Sequence, residues 1–240
     1  MIRDEEVPTD IVKSALRVIG QMITSSNDCV TSHLIKAGFY DVVPKLLTNS
    51  SKAFRKEAVW MLSNIAGGSV DDIESLLSKE DIMKQVVKMS THDSLTIRKE
   101  ATWVVCNCLQ GGTLQHIEKL IFQYNVLQPI GSFLQQFLTT AQAIDSRQLT
   151  TPNTQNNMSL HSSLVDAKTL EIVVSTLDMV LRRFISNKSQ LELVIDRCAE
   201  VDISNKLEEI LYLECVDIKY QGEIGFLLET FWPNRESLHD

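Results

Sequence analysis

The sequence predicts an all-α protein of stacked three-helix repeats, each about 43 residues long. The first sign is self-similarity. Ala15-Leu-Arg-Val-Ile-Gly-Gln21, Ala58-Val-Trp-Met-Leu-Ser-Asn64 and Ala101-Thr-Trp-Val-Val-Cys-Asn107 succeed one another at two equal intervals of 43 residues. The second is shared flanks. Arg55-Lys-Glu-Ala and Arg98-Lys-Glu-Ala lead into the last two segments, and Gly67-Gly68 and Gly111-Gly112 follow them. The third is composition: 9 Gly and 5 Pro in 240 residues are too few for a turn-rich β protein.

Each element follows from the same reading. After the Gly pair comes a short apolar-periodic stretch, Asp71 to Leu77, matched by Gln115 to Ile121 in the next unit. A second helix spans Ile82 to Met89, with Leu127 to Leu138 as its counterpart. The third and longest carries the motif from Ile97 to Leu109, and Gly111 stops it. Residues 139–169 break the rhythm, because 16 of the 31 are Ser, Thr, Asn or Gln. They read as a polar, disordered insertion. Leu170 to Leu181 then reads as the next third helix, and Asn205 to Cys215 and Tyr220 to Trp232 as two closing helices. The expected organisation is therefore repeats over 1–138, the insertion at 139–169, and a last repeat with capping helices over 170–240.

Charge and cysteine usage narrow the function. A net charge of −8 offers no basic surface for nucleic acid or membrane, and suits a basic partner. No apolar run reaches the roughly 18 residues of a membrane span. Five cysteines with no disulfide spacing point to a reducing compartment. Cys106 and Cys108, two apart on one helix, face different directions and read as core thiols, so no metal or other cofactor is expected. The five histidines are scattered, and no phosphate loop, nucleophile elbow or kinase motif appears, so catalysis is not expected.

A period near 43 residues with three helices belongs to armadillo or HEAT repeats, which stack into a superhelix because no unit buries its apolar face alone. Lys56-Glu-Ala-Val-Trp60-Met-Leu-Ser-Asn64-Ile-Ala-Gly-Gly68 goes further, and with its two sister segments resembles the C-terminal armadillo repeats of the importin-α family. The resemblance covers roughly residues 8–138 and 170–232. It implies a right-handed superhelical solenoid and a nuclear import adaptor that shuttles between cytoplasm and nucleus. Cargo in that family carries a nuclear localisation signal, a Lys/Arg-rich segment bound along a groove lined by third helices.

The residues suit that chemistry. Trp60 and Asn64 are four apart on one helix face, as are Trp103 and Asn107. Stacked indoles form slots for Lys or Arg stems, and each Asn amide offers a donor and an acceptor to a bound backbone. By the resemblance, Arg17 stands in a Trp position of the family's minor site, and Lys56, Glu57, Ser63 and Glu100 flank the Trp and Asn contacts. Without a peptide, Arg17 can instead pair with a neighbouring carboxylate. Gln21 departs from the pattern, standing where the family has Asn, and Met179 occupies the same position in the fourth unit.

Implied partners are basic cargo, with the recycling exportin and nucleoporins beyond it, and importin-β where a basic arm lies upstream. The chain opens at Val7-Pro-Thr-Asp, just before a third helix, so its stack exposes an uncapped apolar face. It reads as a fragment, a truncated gene product or a degenerate paralogue. The alternative function is an armadillo scaffold that has lost import activity and binds a partner of another kind; Gln21 and Met179 favour it.

Overall fold

The computed structural model describes residues 9–23, 28–148 and 166–233, all helices and short turns. Expectations for the chain's first residues and for 149–165 lie outside the described residues. The chain divides into two compact units, Met1–Val126 and Leu127–Asp240.

In the first unit, α1 spans Thr9–Ile23, α2 Asp28–Lys36, α3 Phe39–Leu47 and α4 Lys52–Ala66. They are followed by α5 (Val70–Leu77), α6 (Glu80–His92), α7 (Leu95–Gly111), α8 (Leu114–Glu118) and a π-helical turn over Lys119–Gln123. Helices α2, α3 and α4 form one repeat, and α5, α6 and α7 the next. The long third helices lie side by side, α1 on α4 and α4 on α7, while α3 packs on α4 and α6, and α6 on α7.

That crowding explains the sequence of α4. Ala58, Val59, Met61, Leu62, Ser63, Ile65 and Ala66 are all buried. Each large apolar side chain among them contributes about 1.5–3 kcal/mol by leaving water. What remains is the stripe Glu57, Trp60 and Asn64, half-buried and spaced to share one face. Helix α7 repeats the arrangement, with Glu100, Trp103 and Asn107 as its half-buried stripe.

Helices α5 and α8, the first helices of successive repeats, start with the same device. Ser69 caps α5 and Asp72 reaches back to its main-chain N–H. Thr113 and His116 do this for α8, and the unprotonated Nδ1 that accepts from Thr113 leaves Nε2 to donate to Glu74 at 2.6 Å. Gly112 precedes this box because an added Cβ would stand 2.5 Å from the Cys108 carbonyl oxygen.

The second unit holds α9 (Leu127–Gln148), α10 (Ala167–Phe184), α11 (Lys188–Glu200), α12 (Ile203–Leu211) and α13 (Ile218–Phe231). Helix α12 packs on α9 and α13, and α10 on α11 and α13. Residues 139–148, expected to belong to the polar insertion, instead continue α9 to Gln148. Phe133, Phe137, Ala141 and Ile144 form a buried stripe on it, masked in the sequence by intervening Gln and Thr. The Thr139 and Thr140 hydroxyls donate to the Gln135 and Gln136 carbonyls within the helix. Helix α11 buries only Val194 and Cys198, which is why no helix is predicted there from periodicity. Among the described residues, no helix is long and apolar enough to cross a membrane.

Candidate functional site

The site is the stripe where α1, α4 and α7 lie edge to edge. Arg17 and Gln21 are exposed on α1. Lys56 is exposed on α4, beside half-buried Glu57, Trp60 and Asn64. Helix α7 adds Glu100, Trp103 and Asn107. The fold thus sets nine of the ten expected residues on a shared layer with access to solvent. The tenth, Ser63, is buried, and its hydroxyl donates to the Trp60 carbonyl at 2.8 Å.

At the α1–α4 junction the Arg17 guanidinium donates to Glu57 Oε1 at 3.0 Å. Its carbon lies 5.8 Å from the centre of the Trp60 ring, within cation–π range. Below it, the indole lies on the α1 backbone at Gly20. A Cβ there would meet Trp60 Cζ3 at 2.1 Å, so only glycine admits the ring in this position. Gly20 aligns with Ser63 and Cys106, small residues all, and this seat is the site feature that sequence reasoning missed. The small-residue column beside each Gln or Asn is the signal for it.

Two single atoms on α4 lack partners. Glu57 Oε2 and Asn64 Nδ2 are both buried and make no hydrogen bond. Burying a polar atom unpaired costs about 1–3 kcal/mol, so each of the two has a hydrogen bond to gain from a new partner. One is an acceptor bearing charge, the other a donor, and Trp60 lies between them on the same face.

At the α4–α7 junction the amide is spent differently. Asn107 Nδ2 donates to the Ser63 carbonyl at 2.9 Å, tying α7 to the end of α4. Its second N–H and its oxygen remain the groups through which it could touch a ligand.

The Arg of the shared Arg-Lys-Glu-Ala flank is structural. Arg55 donates from Nε and Nη2 to Asp93 at 2.8 and 2.9 Å, and from Nη1 to the Asn49 and Ser50 carbonyls. The hydrogen-bonded guanidinium holds the Asp93 carboxyl below its ordinary value, and Asp93 in turn raises Arg55. Arg98, its counterpart, donates to the Ser90 carbonyl at 3.2 Å. Both fix where the third helix starts, and therefore the height of Glu57 and Glu100.

Cys106 and Cys108 are buried, and burial pushes the Cys108 thiol up to about 12. Among the described residues no group of three His, Cys, Asp or Glu is placed to hold a metal ion.

No model of a known protein family matches the chain, and no curated protein matches it. Solved structures do. A designed armadillo repeat protein, YIII(Dq.V1)4CPAF in complex with peptide (KR)4, is 22% identical, with 96% of this chain and 97% of that one covered and a TM-score of 0.57. A second designed armadillo repeat protein, YIII(Dq)4CqI, is 19% identical over 95% of this chain and 96% of its own, with a TM-score of 0.56. Computationally designed armadillo repeat proteins for modular peptide recognition give 19% identity, 93% and 94% coverage, and a TM-score of 0.55. At such identities the likeness shows the fold alone: an all-α solenoid of armadillo repeats.

Proposed function

We propose that this armadillo chain is a peptide-binding module, and that the stripe across α1, α4 and α7 takes an extended segment rich in Lys and Arg. The observation that carries this reading is the pair of orphaned atoms on α4. Glu57 Oε2 would accept from a ligand's ammonium or guanidinium, and Asn64 Nδ2 would donate to a carbonyl of its backbone. Trp60 between them offers a face to the stem of a Lys or Arg. The (KR)4 peptide of the designed protein has the same chemistry. The net charge of −8 would speed the approach of such a ligand.

The narrower form of the proposal is cargo binding for nuclear import, with a shuttling protein as its consequence. It rests on the resemblance of the Trp and Asn motifs to importin-α. A second reading, an armadillo scaffold for a partner that is not basic, draws on two observations. Arg17 already stands over Trp60, and Asn107 already has a partner in Ser63.

Titration of a fluorescent Lys/Arg-rich peptide at two salt concentrations, beside a Lys→Ala control, separates the two. The proposal expects binding that weakens with salt, is lost in the control, and falls about tenfold with Trp60→Ala, given cation–π and stem packing of about 1–2 kcal/mol. Equal binding of the control peptide would establish the scaffold reading, and no binding by a folded chain would sink the basic-peptide one.

A further inference from the structure

We infer that Arg17 decides between Lys and Arg in the bound segment, turning the α1–α4 junction toward lysine. The inference rests on the basic-peptide reading above and adds to it a residue that sets specificity.

A half-buried carboxylate ordinarily prefers arginine. A guanidinium presents two parallel N–H groups that take both oxygens of a carboxylate at once, and it gives up its hydration more readily than an ammonium does. Lysine brings a compact point charge that makes its ion pair through one N–H on one oxygen. A Glu with both oxygens available therefore favours arginine. One with a single oxygen available loses the two-bonded half of that preference.

Glu57 is of the second kind. Its Oε1 accepts from Arg17 Nη1 at 3.0 Å, while its Oε2 is buried and makes no hydrogen bond. The carboxylate has little room to offer another edge, because the Glu57 side chain is only 16% exposed against 65% for Arg17. An incoming guanidinium meets Oε2 alone unless Arg17 leaves. An ammonium meets the same oxygen and displaces nothing. Arg17 also stands over the Trp60 ring, 5.8 Å from its centre, but that loss falls on either cation and leaves the choice between them untouched.

The junction is built to keep Arg17 in place. Helix α1 packs on α4, and Gly20 admits the Trp60 ring against the α1 backbone. Arg17 lies three residues before Gly20 and Glu57 three before Trp60, so the two meet across the same contact. At the α4–α7 junction the position 43 residues after Arg17 is Trp60 itself, which brings no cation to Glu100. The bias against arginine therefore belongs to one junction and to one residue. The ligand that fits is a basic segment with lysine where it crosses from α1 to α4.

The test titrates the full chain with fluorescent oligolysine and oligoarginine of equal length and reads the ratio of the two affinities. Taking the ratio in wild type against Arg17→Ala cancels what the peptides do elsewhere, including any general preference for guanidinium. It also cancels the change in charge, which both peptides share. Arg17→Ala should move the ratio toward oligoarginine by about threefold, within the range that an exposed ion pair can supply. In a chain that already carries Glu57→Gln, Arg17→Ala should leave the ratio where it was. Because Arg17 is exposed, the variant should keep its circular dichroism and melting temperature, and a contact that served only folding would not move the ratio. Binding of both peptides with an unchanged ratio, or a shift toward oligolysine, would overturn the inference and leave the basic-peptide reading standing. A shift that persists with Glu57→Gln would overturn it too, by placing the cause elsewhere. Binding of neither peptide by the folded wild-type chain would remove the reading itself, and the inference with it.

Discussion

The α1–α4 and α4–α7 junctions are built from one motif repeated after 43 residues, yet they dispose of their polar groups in opposite ways. At the second, Asn107 spends a donor on the carbonyl of Ser63. At the first, the equivalent amide nitrogen of Asn64 is buried with no partner, although Gly20 offers a carbonyl at the equivalent place. The neighbouring small residue differs as well. Ser63 turns its hydroxyl onto its own helix, while Gly20 has no side chain and lets the Trp60 ring rest on the backbone. Identity of motif therefore does not guarantee identity of role.

The largest effect should come from the contact that fixes both junctions at their starting end. Arg55→Met leaves Asp93 without its guanidinium and frees two loop carbonyls, a loss of about 2 kcal/mol in denaturant unfolding. Because the Asp93 pKa is lowered in the fold, its contribution is complete above the ordinary aspartate range and fades as pH falls through the lowered value. The gap between wild type and Arg55→Met should therefore shrink in acid. A gap constant down to pH 2 would show that the ion pair is not the cause.

Next come the two amides, exchanged between stability and binding. Asn107→Ala should destabilise the chain by about 1 kcal/mol, the net worth of one hydrogen bond. Asn64→Ala removes a buried donor that has nothing to bond, so stability should hold or rise while basic-peptide affinity falls about tenfold. If Asn64→Ala destabilised the chain as much as Asn107→Ala, the two positions would be equivalent after all. Gly20→Ala then tests the seat of the indole. Overpacking against the indole costs about 1–3 kcal/mol, and alanine's better helix propensity returns about 1 kcal/mol. The melting temperature should fall modestly, and tryptophan fluorescence should report the displaced ring.

Much of this is readable from residues alone, and the exceptions share a reason. The 43-residue offset places α4, α5, α6 and α7 closely, because fixed-period apolar patterns and Gly stops are local signals. It also brings the Trp and Asn positions onto one layer of helices. The end of α9 is missed because its apolar stripe is interleaved with Gln and Thr. Which Asn is spent and which is open is missed for another reason. That property belongs to the atom across the junction, 44 residues earlier in the chain, and no pattern within a helix reports it.

The smallest effect, and the sharpest in sign, belongs to Arg17. Its side chain is 65% exposed, so Arg17→Ala should leave the melting temperature unchanged. The consequence should appear in binding instead. Arg17 holds Glu57 Oε1 and stands over Trp60, the two groups that a ligand's cation would use. Removing a resident competitor frees Glu57 Oε1 as well and makes the stripe more negative. Exposed ion pairs are worth about 0.2–1 kcal/mol, so affinity for a Lys/Arg-rich peptide should rise by about twofold to fivefold. The gain should shrink as salt screens the remaining charge. A fall in affinity would mean that Arg17 touches the ligand itself.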